Sequence, residues 1–209
     1  MTDWRAWHDE YADPQSELSQ RLAVVQLHIR GWLDSTGPSP VTVVSMCAGD
    51  GRDLLEVVDG RHDGDRVAAT LVETDERNVE HARAHISRLG HHRIQVRRRD
   101  AGNTDAYAGA VPADLVLACG IFGNIDDHDV RGTIAALPQL CAQNATVVWT
   151  RTRKAPDLTP RIRTWFAEHD FEEIDFTAAQ EGLWSVGVHR FHGQPAPLLA
   201  DQELFTFTR

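Results

Sequence analysis

Residues 41–53 read Val41-Thr42-Val43-Val44-Ser45-Met46-Cys47-Ala48-Gly49-Asp50-Gly51-Arg52-Asp53. The first six form a short apolar run of the kind that fills a strand buried on both faces. A turn with two glycines follows, and the residues from Arg52 to Val58 then take helical spacing. Strand, glycine turn and helix in that order open a βα unit. Such a turn lets the backbone pass very close to a ligand at the carboxyl end of a sheet.

The same unit recurs downstream. Val67 to Glu73 reads as a second strand, and Asp75 caps a helix with the apolar stripe Val79, Ala82, Ile86 and Leu89, closed by Gly90. Arg93 to Val96 and Ala113 to Cys119 supply a third and a fourth strand. A helix carrying Val130, Ile134 and Leu137 follows, limited by Pro138. Ala145 to Thr150 is a fifth strand, and Thr159-Pro160 opens a helix that turns Ile162, Trp165 and Phe166 inward. Phe171 to Phe176, Trp184 to Phe191 and Leu204 to Thr208 then read as strands without helices between them. The pattern predicts an α/β fold: a Rossmann-like, doubly wound, mostly parallel seven-stranded sheet with an antiparallel C-terminal end. Upstream, Ser35-Thr36-Gly37-Pro38-Ser39-Pro40 is a break. Before it, Leu18, Leu22, Val25, Ile29 and Leu33 recur at helical spacing, with Asp13-Pro14 and Ser16 as start signals. Residues 1–40 are thus expected to be a helical extension or lid, and 41–209 the main domain.

Composition narrows the function. A net charge of −10 disfavours binding to nucleic acid through its phosphates. No apolar run reaches the roughly 20 residues that span a bilayer, and no membrane partner is expected. Met1-Thr2-Asp3-Trp4-Arg5 has acid where a secretory leader carries base. Three cysteines, Cys47, Cys119 and Cys141, make no disulfide framework. The chain is expected in the cytoplasm.

Two acids lie at strand ends beside the glycine turn. Glu73 follows Gly49 by 24 residues, near the spacing at which an acid accepts hydrogen bonds from a ribose. Asp100, after the third strand, is placed to meet an exocyclic amine. Together with the turn they outline one nucleoside site. Reading G-x-G-x-x-G from Gly49 puts Leu54 where the third glycine belongs, and Asp50 and Asp53 occupy the helix start where a pyrophosphate would dock. A cationic, phosphate-free ligand meets no such repulsion, so a nicotinamide oxidoreductase is the weaker reading.

Four ordered motifs now carry a resemblance. Val44-Ser45-Met46-Cys47-Ala48-Gly49-Asp50-Gly51, Leu71-Val72-Glu73-Thr74-Asp75, Arg99-Asp100-Ala101 and Asp114-Leu115-Val116-Leu117-Ala118-Cys119-Gly120 are similar to those of class I S-adenosylmethionine-dependent methyltransferases over residues 41 to 209. The resemblance implies S-adenosyl-L-methionine as cofactor. It implies Ala48, Gly49, Asp50 and Gly51 at the methionine part, Glu73 and Thr74 at the ribose, and Asp100 and Ala101 at the adenine. Cys119, Gly120 and the following Phe122 would lie beside the methionyl amine, and Arg21 would pair with the cofactor carboxylate. The implied activity is methyl transfer by in-line displacement to a small-molecule acceptor. Ser45 and Cys47 depart from the family's usual acid and first glycine. A non-catalytic protein that binds the same nucleoside is the alternative of another class.

Proton acceptors are less legible. Trp4, Trp7, His8 and Tyr11 form an aromatic entry segment, either a clamp on the sheet or a lid over the cofactor. Tyr11, His8, His128 and His189 are candidates to take a proton from the acceptor. No metal is expected: His81 and His85 lack a third ligand, and Asp126 more simply caps a helix than joins Asp127 and Asp100 around magnesium. The acceptor, the methylated atom and the oligomeric state are not written in the sequence.

Overall fold

The computed structural model describes residues 13–208. The expected aromatic segment with Trp4, Trp7, His8 and Tyr11 lies outside them. The first helix of the described residues is α1 (Glu17–Ser35), capped by Ser16, whose side chain accepts the Ser19 N–H. The chain continues through β1 (Val41–Ser45), α2 (Arg52–Asp59), β2 (Val67–Glu73), α3 (Glu76–Leu89), β3 (Ile94–Arg98), β4 (Ala113–Ala118), α4 (Asp127–Ala136), β5 (Cys141–Thr152), α5 (Thr159–Glu168), β6 (Phe171–Ala178) and β7 (Trp184–Phe191). Short 3-10 turns at Gly64–Arg66, Thr104–Tyr107 and Leu137–Gln139 complete it.

The sheet has seven strands in the order β3-β2-β1-β4-β5-β7-β6. β1 to β5 pair in parallel, and β7 runs antiparallel between β5 and β6. The expected mostly parallel sheet with an antiparallel C-terminal end is therefore the observed one. Both faces are covered, which is why the parallel strands read as near-continuous apolar runs. On one face Val25, Ile29 and Leu33 of α1 pack with Leu54 and Val58 of α2 and Ala82 of α3. On the other, Val130 and Ile134 of α4 and Ile162, Trp165 and Phe166 of α5 surround Trp149 and Phe122.

One of the eight segments that read as strands stays outside the seven-stranded sheet. Leu204 to Thr208 forms no ladder, and the pairing near it is a lone bridge between Asn103 and Glu203. The backbone is held instead by three different elements. Leu204 N–H goes to the Gly102 carbonyl (2.6 Å), Thr206 N–H to Asp129 Oδ2 (2.9 Å) and Thr208 N–H to the Asn124 carbonyl (2.9 Å). A segment whose N–H groups go to three elements cannot pair with one strand. It covers a face left bare because the connection from β3 to β4 has a four-residue 3-10 turn in place of an α-helix.

Candidate functional site

A cavity of about 650 Å³ opens at the carboxyl ends of the central strands. This is the switch point of the sheet, where β1 and β4 lie side by side and the connections leave toward opposite faces. The turn after β1 forms its floor. Cys47, Gly49 and Gly51 all have positive φ, at 51°, 58° and 74°. A Cβ on Gly49 would meet no protein atom and would stand in open space, whereas one on Gly51 would collide with the Leu71 and Leu55 side chains. Gly49 is thus open for ligand approach, and Gly51 for tight packing of α2 on the sheet. Gly51 does not line the cavity, contrary to its expected cofactor contact; the Leu71 and Leu55 side chains fill its surroundings.

Glu73 ties the strand ends together. Its Oε2 accepts the Gly49 N–H (2.7 Å), and its Oε1 accepts the Thr74 and Asp75 N–H groups (both 2.8 Å). A carboxylate offers about four acceptor sites, so Glu73 can fix the glycine turn and still accept from a ligand hydroxyl. Asp100 accepts the Gly102 N–H on Oδ1 (2.8 Å), which folds the loop after β3 back toward the cavity. After β4, Gly120 donates its N–H to Thr150 Oγ1 (2.8 Å), and Asn124 Nδ2 donates to the Gly120 carbonyl (2.7 Å). These bonds hold rigid the loop that borders the cavity on the β5 side.

The lining is acidic. Asp50, Asp53, Glu73, Asp75 and Asp100 face two arginines, Arg21 and Arg52. Arg52 Nε bonds both Asp50 oxygens (2.9 and 3.0 Å). Asp53 is nearly buried at the first turn of α2, and its Oδ1 accepts the Leu54 N–H (2.8 Å). Burial pushes its carboxyl up from 3.8 to about 6. Burial also raises the Cys47 and Cys119 thiols, with nearby acids adding to it, so neither is a thiolate near neutral pH.

Of the expected contacts, Arg21, Ala48, Gly49, Asp50, Glu73, Thr74, Asp100, Ala101, Cys119 and Gly120 all border this one cavity. Phe122 does not. It is fully buried, tilted against Trp149 at 5.9 Å and Phe166 at 6.4 Å, because the loop after Gly120 dives into the core. The histidines separate in the same way. His128 stands exposed on the first turn of α4 and is not part of the lining. His189 is a core residue stacked on Phe166 at 4.2 Å, and its Nδ1 accepts the Trp149 indole N–H (3.1 Å). Burial holds its ring down at about 4. His8 and Tyr11 lie outside the described residues. Asp126 caps α4 by accepting the Asp129 N–H (2.8 Å). Lining residues that the sequence reading did not connect with the site include Leu22 and Val25 of α1, Asn78 of α3, Asn124, Thr150 and the C-terminal Phe205, Thr206 and Phe207.

Comparison with known proteins bears on the family and the fold. Residues 20–170 match the model of a family described as "Putative methyltransferase". No curated protein matches the chain. Among solved structures, magnesium protoporphyrin IX methyltransferase from Synechocystis PCC 6803 with bound SAM superposes with a TM-score of 0.65 at 12% identity, over 91% of each chain. An O-methyltransferase family protein from Burkholderia thailandensis gives 0.60 at 14% identity, over 86% of this chain and 60% of that one. Ribosomal protein L11 methylase from Lactobacillus delbrueckii subsp. bulgaricus gives 0.59 at 17% identity, over 83% and 80%. These three share a fold, while the names of the first and the third point to different acceptors.

Proposed function

The chain belongs to that methyltransferase family, and on this premise we propose that it transfers the methyl group of S-adenosyl-L-methionine to a small-molecule acceptor in the cytoplasm. The observation that carries the reading is the cavity at the switch point, where carboxylates from successive strand ends surround a glycine turn with an open approach. An acidic lining suits a cationic ligand without phosphates. Gly49 gives the backbone room to lie against it, and Glu73 offers its remaining acceptor site to a ribose hydroxyl. The free thiols of all three cysteines fit a reducing compartment. Among the described residues no helix is long and apolar enough to cross a membrane.

When bound, S-adenosylmethionine supplies a methyl carbon already activated by its sulfonium, for in-line attack. The protein's part is alignment and exclusion of water. Leu22 and Val25 supply apolar wall on the α1 side, and the bonded loop after β4 holds the opposite side. The acceptor's proton needs somewhere to go. Asp53 borders the cavity and titrates near 6, so we assign it to receive that proton.

The test has two stages. Calorimetry with S-adenosylhomocysteine and with NADH is expected to give binding for the first and none for the second; the reverse would sink the cofactor assignment. Methyl-labelled S-adenosylmethionine is then incubated with a library of small hydroxylated and aminated compounds. Label transferred to ribosomal protein or RNA but to no small molecule would overturn the acceptor class.

A further inference from the structure

The C-terminal segment reaches the cavity by an unusual route. After β7 the chain runs back across the sheet face without forming helix or strand. Ala196 N–H bonds the Pro138 carbonyl (2.9 Å), and Leu199 N–H bonds Gln139 Oε1 (2.9 Å). Gln202 and Thr104 then exchange bonds: Gln202 N–H goes to Thr104 Oγ1 (2.9 Å), and Thr104 N–H to the Gln202 carbonyl (3.0 Å). Leu204 is clamped from both sides. Its N–H reaches the Gly102 carbonyl, and its own carbonyl accepts the Thr133 hydroxyl (3.0 Å). The packing at Gly102 is so close that a Cβ there would overlap the Phe205 carbonyl.

This path delivers Phe205 and Phe207 to the cavity beside Asp100 and Ala101, on the face opposite α1 and α2. The two rings meet edge to face at 5.5 Å. Phe205 is buried, but Phe207 remains 44% exposed. Thr206 N–H on Asp129 and Thr208 N–H on the Asn124 carbonyl fix the backbone either side of Phe207. A half-exposed aromatic ring, held by backbone bonds at the rim of a cavity, presents apolar area in a fixed position. Planar bases stack on such rings whatever their edges carry.

We propose that Leu204–Thr208 is a wall of the cofactor cavity and that the Phe205–Phe207 pair takes the adenine base. This rests on the cofactor reading above. The choice of the base over the acceptor follows from position. The pair adjoins Asp100, which has a second carboxylate oxygen to accept from an exocyclic amine. Arg21, Leu22 and Asp53, from α1 and α2, line the other side.

The test is calorimetry on the full chain with two probes, S-adenosylhomocysteine and 5′-methylthioadenosine, which keeps the base and ribose but has no amino-acid end. Phe207→Ala is expected to weaken both by the same factor, on the order of tenfold. Phe207→Tyr, which keeps a ring, should bind both within about twofold of wild type by the same stacking argument. Phe207→Leu keeps apolar contact with Phe205 but has no ring, and is expected to lose as much as Phe207→Ala; it stands in should the alanine variant fail to fold. Wild-type affinity for both probes in a folded ringless variant would overturn the proposal. So would a loss seen with S-adenosylhomocysteine alone, which would place the ring at the amino-acid end. A wild-type chain that binds neither probe would remove the cofactor reading itself, a result distinct from either.

Discussion

Replacing Asp53 by asparagine tests whether a buried carboxylate in the cavity is held at the expense of stability. In the folded chain burial lifts this carboxyl from 3.8 to about 6; in the unfolded chain it ionises at its ordinary value. Between those two points the unfolded chain has released a proton that the folded one keeps. The contribution of Asp53 to stability is therefore greatest in acid and declines as pH rises through about 6. Each pH unit between folded and unfolded values is worth about 1.4 kcal/mol, which puts the cost of ionised Asp53 at about 3 kcal/mol. His189 runs the other way. Burial lowers its ring from 6.5 to about 4, so stability is full above 6.5 and declines as pH falls toward 4, again by about 3 kcal/mol. The two trends oppose each other between about 4 and 6 and largely cancel in the wild-type chain. Asp53→Asn keeps an oxygen for the Leu54 N–H and removes the charge. It is expected to gain about 1–3 kcal/mol over wild type at pH 8, nothing at pH 4, and to show the uncovered His189 slope between. His189→Asn, whose oxygen can still accept the Trp149 indole N–H, should show the reverse slope. Urea unfolding followed by tryptophan fluorescence from pH 4 to 8 reads both. An Asp53→Asn curve parallel to wild type would refute the burial argument. Full methyl transfer by this variant would separately remove Asp53 from the reaction.

Three further outcomes are expected. Glu73→Ala should weaken S-adenosylhomocysteine binding by about 1–3 kcal/mol and lower the melting temperature, because three backbone N–H groups lose their acceptor; calorimetry showing unchanged affinity would leave Glu73 a structural clip. Gly49→Val should abolish binding while the chain still folds, since a side chain there strains φ and projects into the cavity; native affinity would mean the turn does not touch the ligand. Gly187→Ala should cost about 1–3 kcal/mol without affecting affinity, because a Cβ would run into the Trp149 indole, which is buried in the core and does not line the cavity. Melting and calorimetry on one sample check both halves.

How much of this was legible depends on how local the signal is. The βα units could be read because a buried parallel strand leaves a continuous apolar run, and Asp75 and Gly90 punctuate α3 as its N-cap and C-cap. The acids Glu73 and Asp100 were legible for the same reason: once the strands are placed, their carboxyl ends are placed too. Phe122 was misplaced because it follows Gly120 by two residues, and proximity in sequence says nothing about which way a loop turns. His189 was recoverable in principle. In β7 it shares parity with Gly187 and Phe191, and Val186 and Val188 alternate with them toward the α1 face. A histidine on that parity, opposite the Trp149 strand and beneath the α5 aromatics, belongs to the core. The C-terminal wall was not recoverable. Leu204, Phe205 and Phe207 look like a short strand by composition, and nothing local says that their partners are Gly102, Asp129 and Asn124. The only trace was negative: too few residues of helical pattern between β3 and β4 to cover that face. A doubly wound sheet cannot leave a central face bare, so a missing crossover helix implies that some distant segment must lie there, and in this chain that segment also reaches the ligand.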